Sequence, residues 1–230
     1  MQQLRSTLTC FNRRYAADGF RVCPPADTQE AAGTIIAASL EAIIRQRGRR
    51  IQQPDREAFR AVSGWLKGDG HPWLLLSGTP GTGKTTYMTA IERAARWAHA
   101  SDQIAADIRT VKASSLGYML KTSPAEWEAV KNCKLLLVDD IGFFGECEIV
   151  NNYGVNARPV VELLESRYDS RRPTVMTTNL ALTDKHIADP EQRNKLMTIQ
   201  KAYGPRIYSR LAELCTVVVM TGQDFRLCAG

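Results

Sequence analysis

The fold of this chain is decided by Trp73-Leu-Leu-Leu-Ser77 and by the residues that follow it, Gly78-Thr79-Pro80-Gly81-Thr82-Gly83-Lys84-Thr85-Thr86. The first five residues are a short apolar run, which is typical of a buried strand, and residues 85–99 have the periodicity of a helix. The turn between them satisfies the pattern G-x-x-x-x-G-K-[ST]. A glycine-rich turn between a strand and a helix predicts a loop that wraps its backbone N–H groups around phosphates. In such a loop, Lys84 neutralises the β- and γ-phosphates and the hydroxyl of Thr85 ligates Mg²⁺.

Short apolar runs alternate with helical stretches from Trp73 onward. The predicted strands are WLLLS, IRTVKA, KLLLVDD, PTVMTTN and CTVVVM, and the predicted helices lie near 85–99, 113–131, 157–170 and 182–214, the last of them broken. This alternation predicts parallel strands joined by right-handed crossovers, in a three-layer α/β domain. We expect that domain to span residues 54–230, with a helix from Pro54 to Lys67 at its start.

The first 53 residues are predicted to form an arginine-rich arm and a helix for partner docking. A helical stripe runs from Ile35 to Arg47, while residues 1–34 show weak periodicity and indicate a loosely structured arm. Residues 1–60 hold ten arginines, no lysine and six acidic residues, a net charge of +4 out of +6 for the whole chain. This balance favours a polyanionic partner, either nucleic acid or an acidic protein.

Composition excludes several other classes of protein. With 44% hydrophobic and 23% charged residues among 230, the chain is expected to fold around a sizeable core. We find no apolar run long enough for a membrane span and no secretory signal at the start, so a cytoplasmic protein is predicted. The six cysteines lack the paired spacing of zinc ligands, which favours ordinary thiols in a reducing compartment.

Two acids follow the strand Lys134–Val138, and they are the next candidates for catalysis. Ligands of open parallel sheets bind beyond the carboxyl ends of the strands, where Asp139 would hold magnesium through water. Asp140 would orient or polarise the attacking water. A solvated strand exit is the alternative reading of two acids alone, and the phosphate loop upstream favours the catalytic one.

Two further candidates come from the second half of the chain. The strand PTVMTTN ends at Asn179, whose amide would reach the γ-phosphate or the lytic water if this strand lies beside the one that carries Asp139. A polar turn is the alternative, since Asn is common there. Arg206 and Arg210 share one helix face by their spacing, and a surface salt bridge such as Arg210 with Glu213 would also explain them.

Together these elements resemble the AAA+ ATPases of the DnaC/IstB type, the bacterial and phage helicase loaders and their transposition-associated relatives. The resemblance covers residues 50–228, and it includes Asn152-Tyr153-Gly154 before ELLESRYDSRRPTVMTTNL and RIYSRLAEL before CTVVVM. It implies a P-loop AAA+ core that binds ATP and Mg²⁺. It also implies that Arg210 is an arginine finger reaching a neighbouring subunit's ATP, with Arg206 as a supporting cation.

Two departures from a generic AAA+ protein shape the expected activity. Asp140 stands where many AAA+ enzymes place Glu, and its carboxylate is one methylene shorter, which predicts slow, switch-like hydrolysis. Only about ten residues follow CTVVVM, too few for a helical lid, and Arg226 is a poor substitute for a lid-borne arginine. Nucleotide would then be clamped between subunits, so ATP-dependent oligomers are expected.

The resemblance leaves two DNA-related functions open. The first is a loader that binds a replicative helicase and single-stranded DNA; the second is a transposition regulator that assembles on duplex DNA. Phosphate contact and base stacking need basic and aromatic side chains, for which the candidates are Lys112, Ser114, Tyr118, Lys121, Arg171 and Arg172. A GTPase is disfavoured because TNLALTDKH lacks the N-K-x-D element that selects guanine. A small-molecule kinase is disfavoured because it would not need the two acids, the TTN strand end and the paired arginines together.

Overall fold

The computed structural model describes residues 29–46, 56–68, 70–99, 107–142, 150–152, 155–187, 189–193 and 195–221. The strands within these ranges are β1 (Trp73–Ser77), β2 (Ile108–Lys112), β3 (Leu135–Ile141), β4 (Val150–Asn152), β5 (Val155–Ala157), β6 (Thr174–Thr178) and β7 (Cys215–Val219). The helices are α1 (Gln29–Gln46), α2 (Arg56–Leu66), α3 (Lys84–Ala98), α4 (Leu116–Thr122), α5 (Pro124–Asn132), α6 (Pro159–Asp169), α7 (Pro190–Arg193) and α8 (Ile199–Leu214). None of these helices is long and apolar enough to cross a membrane.

Five strands form one parallel sheet in the order β2-β3-β6-β1-β7. They are the five strands predicted from the sequence, which confirms the parallel α/β architecture. Strand β6 lies between β1, which leads into the phosphate loop, and β3, which carries the two acids. Strands β4 and β5 form a separate antiparallel pair, which the sequence analysis did not predict.

Alternate side chains of the strands face two different helical layers. On β1, Leu74 and Leu76 pack in a core cluster with residues of α1, α2 and α3. Trp73 and Leu75 pack in a second cluster with residues of α4, α5, α6 and α8. Because both faces of the sheet are covered, residues 73–76 of β1 and 135–138 of β3 are continuously apolar rather than alternating. The predicted three-layer arrangement is thus confirmed.

Helix α1 lies in the same helical layer as α3, on one face of the sheet. Its side chains Ile36, Leu40 and Ile43 are buried in the first core cluster. The helix begins at Gln29 rather than at Ile35, so residues 29–34 are helical and do not belong to a loosely structured arm. Residues 1–28 and 47–55 lie outside the described residues, and the division of the chain after residue 53 stays a prediction.

A fully buried arginine fixes the edge of the sheet at which β3 and β6 begin. Arg167 on α6 donates from Nη1 to the carbonyl of Cys133 (2.6 Å), from Nε to Oγ1 of Thr174 (3.1 Å) and from Nη2 to the carbonyl of Pro173. Burial lowers the pKa of this guanidinium to about 10. The side chain therefore ties one helix to two strand starts, on the side of the sheet away from the phosphate loop.

Candidate active site

The phosphate loop joins the end of β1 to the start of α3. Gly81 and Gly83 adopt φ values of 84° and 93°, the left-handed region that favours glycine. At Gly78, a Cβ atom would lie 2.3 Å from the carbonyl oxygen of Met220, so the space there admits only glycine. The loop brings the N-terminus of a 15-residue helix to its open side, where the helix dipole favours a phosphate.

Lys84 is buried within this loop. Its Nζ donates to the carbonyl oxygens of Gly78 and Thr79, each at 2.7 Å. These two bonds fold the ammonium group back over the loop, so its positive charge lies among the backbone groups that would surround a phosphate. A helix N-terminus and a buried cation beside backbone N–H groups are the features of an anion-binding loop.

Thr85 and Asp139, the two side chains predicted to hold magnesium, are in contact. The Thr85 hydroxyl donates to Oδ1 of Asp139 at 3.1 Å. The bond joins the helix that follows β1 to strand β3, although β6 lies between β1 and β3 in the sheet. A hydroxyl and a carboxylate supply the hard oxygen ligands that Mg²⁺ prefers, with its remaining positions filled by water and phosphate. The two residues therefore fit the metal that the sequence implies.

Strand β3 contains a β-bulge at the two acids. Val138 pairs with Met176 and Ile141 pairs with Thr178, so Asp139 and Asp140 together oppose the single residue Thr177. In a regular strand these two acids would point to opposite faces of the sheet. The bulge interrupts that alternation, and Asp140 adopts a left-handed φ of 59° with an exposed side chain, while Asp139 is buried.

Thr177 bridges both acids, and the sequence analysis did not assign it a role. Its buried hydroxyl donates to Oδ1 of Asp139 (2.6 Å) and accepts from the backbone N–H of Asp140 (2.7 Å). The only sign of Thr177 in the sequence was its position at the end of an apolar strand, as one of two threonines before Asn179. Only the pairing of β6 with β3 shows which of these threonines meets the acids.

Asn179 lies exposed just past the end of β6. Its strand is the neighbour of β3, as its predicted role requires. Contact of its amide with phosphate or water stays a prediction.

Arg206 and Arg210 converge on one carboxylate of α6. Nε of Arg206 lies 3.3 Å from Oε1 of Glu165, and Nη1 of Arg210 lies 3.2 Å from the same oxygen. Their exposures differ, since the Arg206 side chain is 73% exposed and that of Arg210 only 15%. The Arg210 guanidinium also stacks on the ring of Tyr168, at 4.5 Å from its centroid.

Glu213, the partner considered for Arg210, pairs instead with Arg171 at 2.8 Å. It also accepts from the hydroxyl of Tyr168 at 2.6 Å. This hydrogen bond and the Arg171 guanidinium lower the pKa of Glu213, while the same bond raises the pKa of Tyr168. The surface salt bridge proposed for Arg210 thus exists, with Glu165 in place of Glu213.

The DNA-contact candidates fall into two groups. The first group follows the C-terminal end of β2 and has exposed side chains: Lys112, Ser114, Tyr118 and Lys121. The second, Arg171 and Arg172, precedes the start of β6 and therefore lies at the opposite edge of the parallel sheet. Arg171 and Arg172 are also engaged within the chain, with Glu213 and with the carbonyl of Asn132. Arg226 and the segment expected to lack a lid lie outside the described residues.

Solved structures with a similar fold include DnaI, a DnaC helicase loader and a DnaA replication initiator. DnaI is 22% identical over 86% of this chain and 100% of its own length, with a TM-score of 0.52. The DnaC helicase loader is 18% identical over 75% of this chain and 93% of its own, with a TM-score of 0.53. The replication initiator DnaA, bound to AMPPCP and single-stranded DNA, is 16% identical over 80% of this chain and 50% of its own, with a TM-score of 0.51.

The sequence matches no family model and no curated protein. At these identities the structures establish the fold. The AAA+ fold expected from the resemblance to DnaC/IstB-type ATPases is confirmed, and the chain shares it with DnaI and DnaC over nearly their full lengths.

Proposed function

We propose that this chain is an AAA+ ATPase that acts in DNA replication as a helicase loader, switching between states by binding ATP and hydrolysing it slowly. The observation that carries the proposal is the contact between the phosphate loop and the bulged acids. Thr85, Asp139 and Thr177 join the loop, β3 and β6 in one chain of hydrogen bonds of 3.1 and 2.6 Å. The shared fold with DnaI and DnaC supports the role in replication.

Nucleotide binding is assigned to residues 78–86. The backbone N–H groups of the loop would surround the phosphates, and Lys84 would move from its two carbonyl partners onto the β- and γ-phosphates. Thr85 and Asp139 would hold Mg²⁺, which neutralises charge on the phosphates when it is bound. Each of these residues exchanges an internal hydrogen bond for a ligand contact.

Hydrolysis is assigned to Asp140 and Asn179, which would position the lytic water. The Asp140 backbone is held by Thr177, while its carboxylate is exposed and one methylene shorter than that of a glutamate. A short carboxylate reaches the water less well, so we expect a turnover rate well below about 10 s⁻¹, the enzyme median.

Arg210 would act on the ATP of a neighbouring subunit, with Arg206 in support. In the single chain both are paired with Glu165, and Arg210 is largely buried against Tyr168. An arginine finger contributes about 10³–10⁵ in rate, so isolated subunits should be nearly inactive. This assignment predicts ATP-dependent oligomers and an Arg210→Ala variant that binds ATP without hydrolysing it.

Single-stranded DNA is proposed to bind at the surface that follows β2. Tyr118 is 73% exposed and lies on α4 with Lys121, while Lys112 precedes them. An exposed aromatic ring between lysines suits base stacking and phosphate contact, which need no fixed sequence. We expect Lys112→Ala/Tyr118→Ala/Lys121→Ala to weaken binding. The slope of the logarithm of the binding constant against the logarithm of salt concentration should also become shallower, by about 0.7 for each phosphate that the protein no longer neutralises.

A matched control for this triple variant is Lys185→Ala/Lys195→Ala, which removes two exposed lysines elsewhere on the chain. Unchanged binding by the triple variant, or an equal loss in both, would remove this surface from the proposal.

The decisive experiment is light scattering of the chain mixed with the replicative helicase of its own organism, with and without an ATP analogue. A joint complex that forms with the analogue, and that Lys84→Ala fails to form, supports the loader. Assembly on duplex DNA with no helicase complex would favour the transposition regulator instead. ATPase assays of wild type and Lys84→Ala test the enzymatic part separately.

A further inference from the structure

Helix α8, which carries both arginines, is kinked just before them. Gly204 has φ 86° and ψ 166°, far from helical values, and Pro205 has no N–H to donate. The two halves of the helix are therefore joined by one glycine rather than by a continuous ladder of hydrogen bonds. A Cβ at Gly204 would find no atom within 4 Å, so packing does not clamp the joint itself. The direction of the second half, which begins with Arg206, depends on what holds the residues beside the kink.

One contact beside the kink joins α8 to the segment that bears the two acids. The hydroxyl of Tyr203 accepts from the backbone N–H of Gly142 at 2.5 Å, and the Tyr203 side chain is buried. Gly142 lies two residues after Asp140, and it too has a left-handed φ, of 84°. A Cβ added at Gly142 would lie 2.4 Å from Cδ1 of Leu180, so a side chain does not fit there. The end of β3 is thus tightly packed, and a displacement of Gly142 would act on Tyr203 through their hydrogen bond.

The second tie comes from the start of α6. Arg158, which precedes that helix, donates from Nη2 to the carbonyl oxygen of Ala202 at 2.5 Å. This charged donor meets a carbonyl near the point where the α8 ladder is interrupted. Ala202 and Tyr203 both precede Gly204, so these two contacts hold the end of the first half of α8, from which the second half leaves at the kink.

We propose that Tyr203 is a positioning residue that links the nucleotide site of each subunit to the arginines which that subunit presents to the next. This inference rests on the proposed function of Arg206 and Arg210 in trans. A shift of residues 139–142 on nucleotide binding moves Gly142, Tyr203 follows through its hydrogen bond, and the hinge at Gly204 redirects the second half of α8. The arginines then leave or regain Glu165 according to the state of their own subunit's site.

The test uses two full-length chains that are inactive alone. Asp140→Asn binds nucleotide without hydrolysing it and retains its arginines, while Arg210→Ala retains its whole site but lacks the finger. Mixed together, they restore hydrolysis at the site of the second chain with the arginine of the first. Tyr203→Phe is then placed in either chain, with Tyr208→Phe as a control on the same helix.

We expect Tyr203→Phe in the Asp140→Asn chain to lower the restored rate about five- to tenfold, consistent with the loss of one hydrogen bond. Tyr208→Phe should leave it within twofold, and the melting temperature of each chain is measured in parallel. A role confined to hydrolysis at Tyr203's own nucleotide site would not lower this rate, because the Asp140→Asn chain hydrolyses no ATP.

An unchanged restored rate, or a loss only when Tyr203→Phe is in the Arg210→Ala chain, overturns the inference while leaving the proposed function intact. Failure of the two parent chains to complement each other overturns the trans assignment of Arg210, and this inference with it. Arg158→Met removes the other tie, and we expect it to lower the restored rate from the same chain.

Discussion

Replacing Thr177 by valine removes one hydroxyl and tests whether it holds both acids in place. Valine has nearly the same shape, so the buried strand keeps its packing while Asp139 loses a donor at 2.6 Å and the Asp140 N–H loses an acceptor at 2.7 Å. Both losses lie at the centre of the proposed site. Thr177→Ser keeps the hydroxyl and serves as the matched control.

The magnitude follows from the two bonds. A hydrogen bond to a charged group contributes about 1.5–3 kcal/mol, and a partly buried N–H left without a partner costs about 1 kcal/mol. Thr177→Val should therefore lower the free energy of unfolding by about 2–4 kcal/mol. At about 2–4 °C per kcal/mol for a domain of this size, the melting temperature should fall by about 4–16 °C.

Catalysis should suffer separately from stability. Release of the Asp140 backbone is expected to reduce kcat about tenfold, with the affinity for ATP within about threefold, because Lys84 and the loop are untouched. Steady-state ATPase assays and titration with a fluorescent ATP analogue, both well below the melting temperature, separate the two effects. Wild-type kcat and melting temperature in Thr177→Val would refute the reasoning, as would equal losses in Thr177→Ser.

Two further predictions concern Arg167, at the edge of the sheet where β3 and β6 begin, and the buried thiols of Cys133 and Cys215. Arg167→Met should lower the free energy of unfolding in urea by about 3 kcal/mol or more, since the carbonyls of Cys133 and Pro173 each lose a charged donor. The exposed Arg206→Met should change it by less than about 0.5 kcal/mol, and similar losses in both variants would contradict this account. Burial raises the pKa of the Cys133 and Cys215 thiols, so at pH 8 both should resist iodoacetamide until the chain unfolds, as peptide mass spectrometry can follow. The unfolded thiols lose protons first, so stability should fall as the pH rises through about 9.0, and native labelling at the unfolded rate would contradict the burial.

The phosphate loop and the order of strands and helices could be predicted because their signals are local. A glycine pattern between an apolar run and a helical stripe identifies the loop, and short apolar runs identify the strands. The placing of Thr85 against Asp139 follows from the same rule, since ligands gather at the carboxyl ends of parallel strands. These are properties of neighbouring residues or of the fold class.

The features that escaped prediction depend on contacts between distant parts of the chain. Thr177 meets Asp139 only because β6 is inserted beside β3, and the bulge there cannot be seen in either strand alone. Arg210 pairs with Glu165 on another helix, whereas its sequence neighbour Glu213 was the considered partner. The burial of Arg167 likewise depends on carbonyls of distant segments, since arginine is almost never fully buried unless it is paired.

The bulge at the two acids also bears on the rate of the proposed ATP hydrolysis. A left-handed φ costs most residues about 1–2 kcal/mol, and aspartate is among the few that adopt it readily because its short side chain bonds locally. Glutamate at position 140 would extend the carboxylate toward the water but would have to accept a backbone conformation that it disfavours. The proposed slow turnover would then follow from the backbone conformation of β3. A variant with faster turnover would need a change in that conformation before a longer acid at position 140 could help.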